Sequence, residues 1–166
     1  MTPEQITALK AQLAENPGVL FESLAEEHNA SEAQMIECLP ENFWTKIDGA
    51  HFQTLLKEVA TWGKVTTIIH SSGSIFEFSG PFPEGSVAHG YYNLSHESGL
   101  SGHLKFDNCG AIYFIERPFR GSATYSMLLT DLKGRIMFKI FLGRDENRVI
   151  FPDQIEKFHA LAKAFN

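Results

Sequence analysis

Short β-rich runs follow one another between Lys64 and Gly143, and they constrain the fold more than any other feature of the sequence. The runs are KVTTIIH, SIFEFSG, VAHGYYNL, SGHLKF, GAIYFIER, ATYSMLLT and RIMFKIFLG. Gly, Pro, Asn and Asp residues separate them, and no helical periodicity lies between them. Strands this closely spaced leave no room for crossover helices, so we expect them to pair antiparallel. The segment from Asp131 to Gly134 predicts a hairpin turn.

Helical patterns lie on both sides of the strand region. Thr2 with Gln5 predicts a capping box at the start of the first helix, and Ser31 with Gln34 predicts a second one. Apolar residues recur at helical spacing before Trp62 and again in the last segment of the chain. The predicted class is α+β, a large antiparallel sheet with helices at both ends. We expect one domain over 1–166, with a mainly helical arm (1–62), an antiparallel sheet (63–150) and a C-terminal helix (151–166).

The charge of the chain is unevenly distributed. Residues 1–43 contain eight Glu and one Lys, whereas the remaining residues are nearly neutral and the whole chain carries −6. Nucleic acids and anionic membranes attract Lys and Arg clusters, so an acidic arm argues against both partners. No apolar run approaches the ~18–20 residues of a membrane span. The polar N-terminus predicts no secretory signal, and two cysteines are consistent with a reducing, cytoplasmic location.

The segment LAEEHNASEAQMIECL raises an alternative, because it resembles a helix-turn-helix motif. Ala25, Asn29 and Ile36 occupy the positions expected for the first helix, the turn and the second helix. A recognition helix contacts phosphates and base edges largely through basic and amide side chains. The second helix here offers Glu32, Gln34 and Glu37 and no basic residue. We therefore treat a DNA-binding regulator as a lesser alternative to a structural helix pair.

Most enzyme motifs are absent from the sequence. It has no phosphate-binding glycine loop, no G-x-S-x-G elbow and no H-E-x-x-H pair. The absence of C-x-x-C-H excludes covalent heme attachment through that motif. His89, His96 and His103 are spaced seven residues apart, but this spacing has no fixed geometry on strands and turns and is weak support for a zinc site.

Two histidines on predicted strands are the best candidates for a functional role. His70 ends the run KVTTIIH, and His103 lies in SGHLKF. Either imidazole could simply be a hydrogen-bonded residue at a strand end. In an aromatic cleft, however, a neutral imidazole nitrogen can ligate a metal, and an iron porphyrin requires such a cleft with an axial His or Tyr.

Further residues could complete a site of that kind. Tyr91 and Tyr92 each offer a phenolate, although neighbouring residues of a strand point in opposite directions, so only one would face a cleft. Porphyrin propionates would also need cations. The candidates are Lys105, Arg117, Arg120 and Arg144.

The motifs between Trp62 and Arg148, taken in order, resemble those of the bacterial heme utilization carrier family, the HutX/ChuX/ShuX group. The matching segments are WGKVTTIIH, EFSG, HGYYNL, SGHLKF, IERPF and KIFLGRDENR. The resemblance implies a cytoplasmic homodimer whose fold corresponds to one half of the larger bacterial heme-trafficking proteins. It also implies that His70 and His103 ligate the iron of non-covalently bound heme b, with Tyr91 and Tyr92 as alternative ligands.

Proteins of that family take up imported heme and pass it to a heme-degrading enzyme, so the resemblance implies a carrier rather than an enzyme. The main alternative is a heme-degrading or heme-modifying enzyme on the same scaffold. No nicotinamide or flavin motif is visible, but electrons can come from a separate reductase, so this alternative stays open. A heme sensor or storage protein is a further alternative.

Overall fold

The computed structural model describes residues 1–165, which form helices at both ends of a strand-rich region. The helices are α1 (Pro3–Glu15), α2 (Phe21–His28), α3 (Glu32–Ile36), α4 (Phe52–Val59) and α5 (Pro152–Ala164). The strands are β1 (Trp44–Asp48), β2 (Lys64–Ser71), β3 (Ser74–Pro81), β4 (Gly85–Ala88), β5 (Tyr91–Leu94), β6 (His103–Leu104), β7 (Cys109–Phe119), β8 (Ser122–Asp131) and β9 (Ile136–Leu142). No helix within residues 1–165 has the length and apolar character needed to cross a membrane.

The strands form two antiparallel sheets. The large sheet has the order β1-β7-β8-β9-β2-β3, and the small sheet has the order β4-β5-β6. Every strand pairing recorded in the two sheets is antiparallel. The predicted α+β class, with a large antiparallel sheet, N-terminal helices and a C-terminal helix, is confirmed.

The local sequence signals behave as expected. Thr2 accepts a hydrogen bond from the Gln5 amide, and the Gln5 side chain accepts one from the Thr2 amide at 2.8 Å. Ser31 and Gln34 form the same reciprocal box at the start of α3. The Asp131–Gly134 turn closes with a 3.0 Å bond from the Gly134 amide to the Asp131 carbonyl. The predicted range of the last helix extended to Asn166, which lies outside the described residues.

The structure differs from the sequence expectations in two segments. Trp44–Asp48, inside the range predicted to be mainly helical, is strand β1 and pairs with β7. The run VAHGYYNL is two strands rather than one, because His89 and Gly90 have φ of +54° and +82° and form a hairpin turn. The small sheet that results is separate from the large one.

The large sheet separates two hydrophobic cores. Helices α1 to α3 pack on one face against Tyr113, Ile115 and Leu128. Helices α4 and α5 and the small sheet pack on the other face, where Phe52 and Tyr92 contribute to the core. Strands β7 and β8 therefore bury alternate residues in different cores, as expected for strands covered on both sides.

The pair α2 and α3, which resembled a helix-turn-helix, is part of the first core. Helix α3 has only five residues, and its Met35 and Ile36 are fully buried. The Ala33 amide also donates to the Gly134 carbonyl of the β8–β9 turn. The two helices are therefore integral to the packing against the sheet.

Helices α1 to α3 leave part of their face of the large sheet uncovered. Residues that pair directly across antiparallel strands share a face, which places Thr66, Ile68 and His70 of β2 with Phe141 of β9 and Glu77 of β3. None of these five residues is fully buried. We call this surface the open face.

Candidate functional site

His103 lies on the solvent-facing side of the small sheet. Tyr92 and Leu94 point inward to the core, so by strand alternation Tyr91 and Asn93 point outward. His103 pairs with Asn93, and its side chain therefore belongs to the same outward side. We call the set Tyr91, Asn93, His103 and Lys105 the outer face of the small sheet.

Asn93 fixes the protonation pattern of the His103 imidazole. The Asn93 Nδ2 group donates to the carbonyls of Ala88 (3.0 Å), Tyr91 (3.3 Å) and Ser86 (3.4 Å), which orients the amide. Its Oδ1 lies 2.6 Å from Nδ1 of His103. A carboxamide oxygen can only accept, so Nδ1 of His103 carries the proton. In the neutral imidazole the lone pair of Nε2 is then free, and this is the form of histidine that binds iron.

If His103 ligates heme iron, as the family resemblance implies, replacing Asn93 by Leu should weaken hemin binding by about tenfold, because the residue behind a metal-ligating imidazole typically contributes a factor of 10 to 100. Hemin titration followed at the Soret band measures this effect. Ser86→Ala, which changes an exposed side chain across the same strand pair, is the matched control. If Asn93→Leu titrates like the control while His103→Ala does not, Asn93 does not set the tautomer.

Tyr91 and Lys105 lie next to His103. The Tyr91 ring centroid is 6.2 Å from that of His103, and Nζ of Lys105 is 5.5 Å from the Tyr91 ring. Lys105 also pairs with Asp107 at 3.1 Å, and both side chains are exposed. An exposed ion pair of this kind is weak and easily exchanged for another anion. The outer face therefore combines a possible axial ligand, an aromatic surface and an available cation.

Tyr92 points away from that surface. Its side chain is fully buried, and its ring lies against Gly85, where a Cβ would come within 2.4 Å of the ring. Burial raises the pKa of the Tyr92 hydroxyl, with Glu84 adding to the effect. The structure thus confirms that the two tyrosines face opposite sides, and it leaves Tyr91 as the one that a surface ligand can reach.

His70 lies at the edge of the open face beside helix α2. Its Nδ1 is 3.9 Å from Oε2 of Glu22, and 28% of the His70 side chain is exposed. Lys139, whose side chain is only 8% exposed, forms a salt bridge with the same Glu22. The donor to Oε2 is Nζ of Lys139 at 3.1 Å. The Glu22 carboxylate therefore connects helix α2 of the N-terminal arm to both His70 and Lys139.

The structure does not bring His70 and His103 together within the chain. His70 projects from the large-sheet face that carries α1 to α3. His103 projects from the small sheet, which packs on the other face. The neighbours of the two imidazoles, Glu22 for one and Asn93 with Tyr91 for the other, are separate sets. Each histidine therefore belongs to its own surface.

Arg117 is a structural tether rather than an available cation. Its guanidinium donates to the carbonyls of Pro17 at 2.6 Å and Val19 at 2.8 Å and lies 4.1 Å from the Phe21 ring centroid. Burial lowers the pKa of Arg117 to about 10, so the side chain still carries its charge at neutral pH. These contacts hold the start of α2 on the sheet and leave the group poorly placed to bind a propionate.

The two other arginines considered from the sequence lie in connecting segments. Arg120 occupies the β7–β8 turn and packs over Phe119. Arg144 donates to the carbonyls of Arg148 and Ala123 and so builds the loop after β9. Within residues 1–165, no group of three or more His, Cys, Asp or Glu side chains is arranged to hold a metal ion.

Asn93, Glu22 and Lys139 were not identified from the sequence. Asn93 is two residues from Tyr91, and strand alternation places both on one side. Its pairing with His103 depends on the register of β5 and β6, which the sequence does not reveal. Glu22 and Lys139 are separated by 117 positions. No local pattern connects them.

The fold and these surfaces define an α+β protein with two strand histidines at its surface, His103 exposed and His70 partly exposed. The family model for Haem utilisation ChuX/HutX matches residues 45–161. The intracellular heme transport protein HutX of Vibrio cholerae serotype O1 is 41% identical over 162 residues, 96% of this chain and 84% of that protein. The chain belongs to the ChuX/HutX family.

Solved structures agree with this assignment. The structure of the heme-binding protein ChuX has a TM-score of 0.86 at 41% identity and covers 94% of this chain and 97% of that one. Holo-PhuS, from Pseudomonas aeruginosa, has a TM-score of 0.74 at 17% identity, and the match covers 97% of this chain but 46% of PhuS. At this identity the match shows the fold alone. This chain thus corresponds in fold to about half of PhuS.

Proposed function

We propose that this protein is a cytoplasmic heme carrier, which takes up imported heme and passes it to a heme-degrading enzyme. The observation that carries the proposal is the 41% identity, over nearly the whole chain, to a protein named for intracellular heme transport. The cargo would be non-covalent heme b, held by a single domain over residues 1–166. Free heme is sparingly soluble and redox-active, so a carrier would lower its free concentration in the cell.

The proposed iron ligands are His70 and His103. His103 has Nδ1 bound to Asn93 and Nε2 free, and part of the His70 side chain is exposed. Tyr91 is the alternative ligand on the outer face of the small sheet. A carrier must release its cargo, and an open surface with an accessible imidazole permits exchange of axial ligands within a transient complex. An enclosed pocket would slow that exchange.

The protein is proposed to act as a homodimer through strand β3. This strand is at the edge of the large sheet, and the hairpin formed by β2 and β3 exposes 58% of Ile75 and 60% of Phe76. An edge strand with exposed apolar residues offers backbone groups and apolar area to a second copy. A second chain would also allow His70 of one copy to approach His103 of the other.

Phe76→Glu is expected to convert the dimer to a monomer, because the substitution places a charge in the proposed contact. Analytical ultracentrifugation at matched concentrations measures the change. Glu77→Gln, at the neighbouring exposed position, serves as the control and should remain dimeric. If the wild-type chain sediments as a monomer, the proposed homodimer is wrong.

A hemin titration followed by reduction tests the proposed function against the enzymatic alternative. The carrier account predicts saturable binding with a Soret band that survives incubation with ascorbate in air. Steady loss of the band with biliverdin-like absorption would instead assign heme degradation to this chain. Absence of saturable binding would contradict both. The relatives that are 41% identical are named for heme transport and heme binding.

A further inference from the structure

The open face continues into a cavity of about 520 Å³ at the end of β2 farther from the β2–β3 turn. Thr66 and Phe141 form part of its floor, and the loop after β9 forms a wall. Thr66 lies on the same side of the sheet as His70, four residues away, or about 13 Å along a strand. The cavity and His70 are therefore two ends of one surface.

Three cations line this cavity, and none of them forms a salt bridge with a carboxylate within residues 1–165. Arg144 donates to the backbone carbonyls of Arg148 and Ala123. Among residues 1–165, the one acceptor for Nζ of Lys64 is the Arg144 carbonyl, at 3.3 Å. The exposed Arg148 side chain makes no hydrogen bond or salt bridge with any of residues 1–165, although its own carbonyl is bound by Arg144. Lys64 and Arg148 are thus available for an anion.

The acidic groups at the cavity do not cancel these charges. Oδ1 of Asp145 accepts from the amides of Asn147 at 2.8 Å and Val149 at 3.0 Å, so this carboxylate is occupied in shaping the loop. Glu77 is exposed on the outermost strand. With three cations and two carboxylates, the cavity lining is net positive in a chain whose overall charge is −6. This local reversal of sign favours an anionic ligand.

We infer that Lys64 and Arg148 bind the two propionate carboxylates of heme at this end of the open face, an inference that rests on the proposed heme-carrying function. A porphyrin carries both carboxylates on one edge, away from the axial ligand, and its apolar body would lie over Ile68 and Phe141. Arg148 has φ of +65° and is fixed by a 2.9 Å bond from its amide to the Asp145 carbonyl. The loop therefore holds the backbone of Arg148 in a defined place at the cavity, from which the unbound side chain can reach an anion.

Titrations with hemin and with hemin dimethyl ester, in which both carboxylates are blocked, test this inference. The wild-type protein is expected to bind hemin about tenfold more tightly than the ester, as charge-assisted hydrogen bonds are lost. The double variant Lys64→Met/Arg148→Asn should bind hemin about tenfold more weakly and bind the ester unchanged. Methionine keeps the apolar stem of Lys64, and asparagine tolerates the positive φ at 148, so we expect the fold to be retained.

The matched control is Lys57→Ala/Lys133→Ala, which removes two exposed cations elsewhere and should keep the preference for hemin. If the double variant at 64 and 148 also keeps the full preference for hemin over the ester, Lys64 and Arg148 do not bind the propionates. The proposed carrier function would be unaffected by that result. If wild-type protein binds neither ligand, the carrier function fails and the site fails with it. Should the double variant unfold, as judged by circular dichroism, Arg148→Asn alone must still reduce the preference.

Discussion

Replacing His70 and His103 together by alanine is expected to weaken hemin binding by about 100-fold and to shift the Soret maximum. Removal of a residue that supports a metal ligand weakens metal binding by up to about 100-fold, and removal of the two proposed ligands should weaken hemin binding at least as much. Each single substitution should produce part of the effect. Visible absorption titrations of the three variants measure both quantities.

The matched control for this experiment is His28→Ala/His96→Ala, which removes two histidines outside the proposed surfaces and should bind like wild type. If the variant lacking His70 and His103 has an unchanged spectrum and affinity, neither histidine ligates the iron. Tyr91 would then be the better candidate. Tyr92 would not, because its side chain is fully buried. Tyr91→Phe in the same background distinguishes the two outcomes.

Glu22→Ala is expected to lower the free energy of unfolding by about 3 kcal/mol, the lower end for a buried pair, because it leaves the largely buried charge of Lys139 without its partly exposed partner. The charge left behind is that of Lys139, which is among the most buried charged residues of the chain. The substitution also removes the one carboxylate that links α2 to the surroundings of His70. Urea denaturation measures the change.

Glu26→Ala, on the exposed side of the same helix, should change stability by less than about 0.5 kcal/mol. The double variant Glu22→Leu/Lys139→Met should recover most of the loss, since a buried ion pair can be replaced by apolar residues of similar volume. A small effect of Glu22→Ala, comparable to that of the control, would show that Lys139 finds water or another partner.

Local signals in the sequence predicted the helix starts and the alternation of Tyr91 and Tyr92. Both depend on residues close in sequence: the boxes of Thr2 with Gln5 and Ser31 with Gln34, and the two-residue period of a strand. For the same reason, the seven strands predicted in the region of residues 64–142 are close to the eight that the structure has there, β2 to β9. Strand β1 was overlooked because its five residues lie between helices.

The site depended on contacts that no local pattern encodes. Asn93 meets His103 only through the pairing of β5 with β6, and Arg117 meets Pro17 and Val19 across about 100 positions. A sequence shows that an arginine is present but not whether backbone carbonyls already occupy it. For this reason Arg117 was a reasonable propionate candidate from sequence, whereas the structure directs attention to Lys64 and Arg148.

The rate at which heme moves from this protein to a partner distinguishes a carrier from a protein that merely binds heme. Hemin-loaded protein is mixed in a stopped-flow instrument with the heme-free form of a heme-degrading enzyme from the same organism, and separately with apomyoglobin as a passive trap. The carrier account predicts a transfer rate to the enzyme that rises with enzyme concentration and exceeds the constant rate measured with apomyoglobin. Equal, concentration-independent rates for both acceptors would contradict it, because heme would then be leaving by simple dissociation.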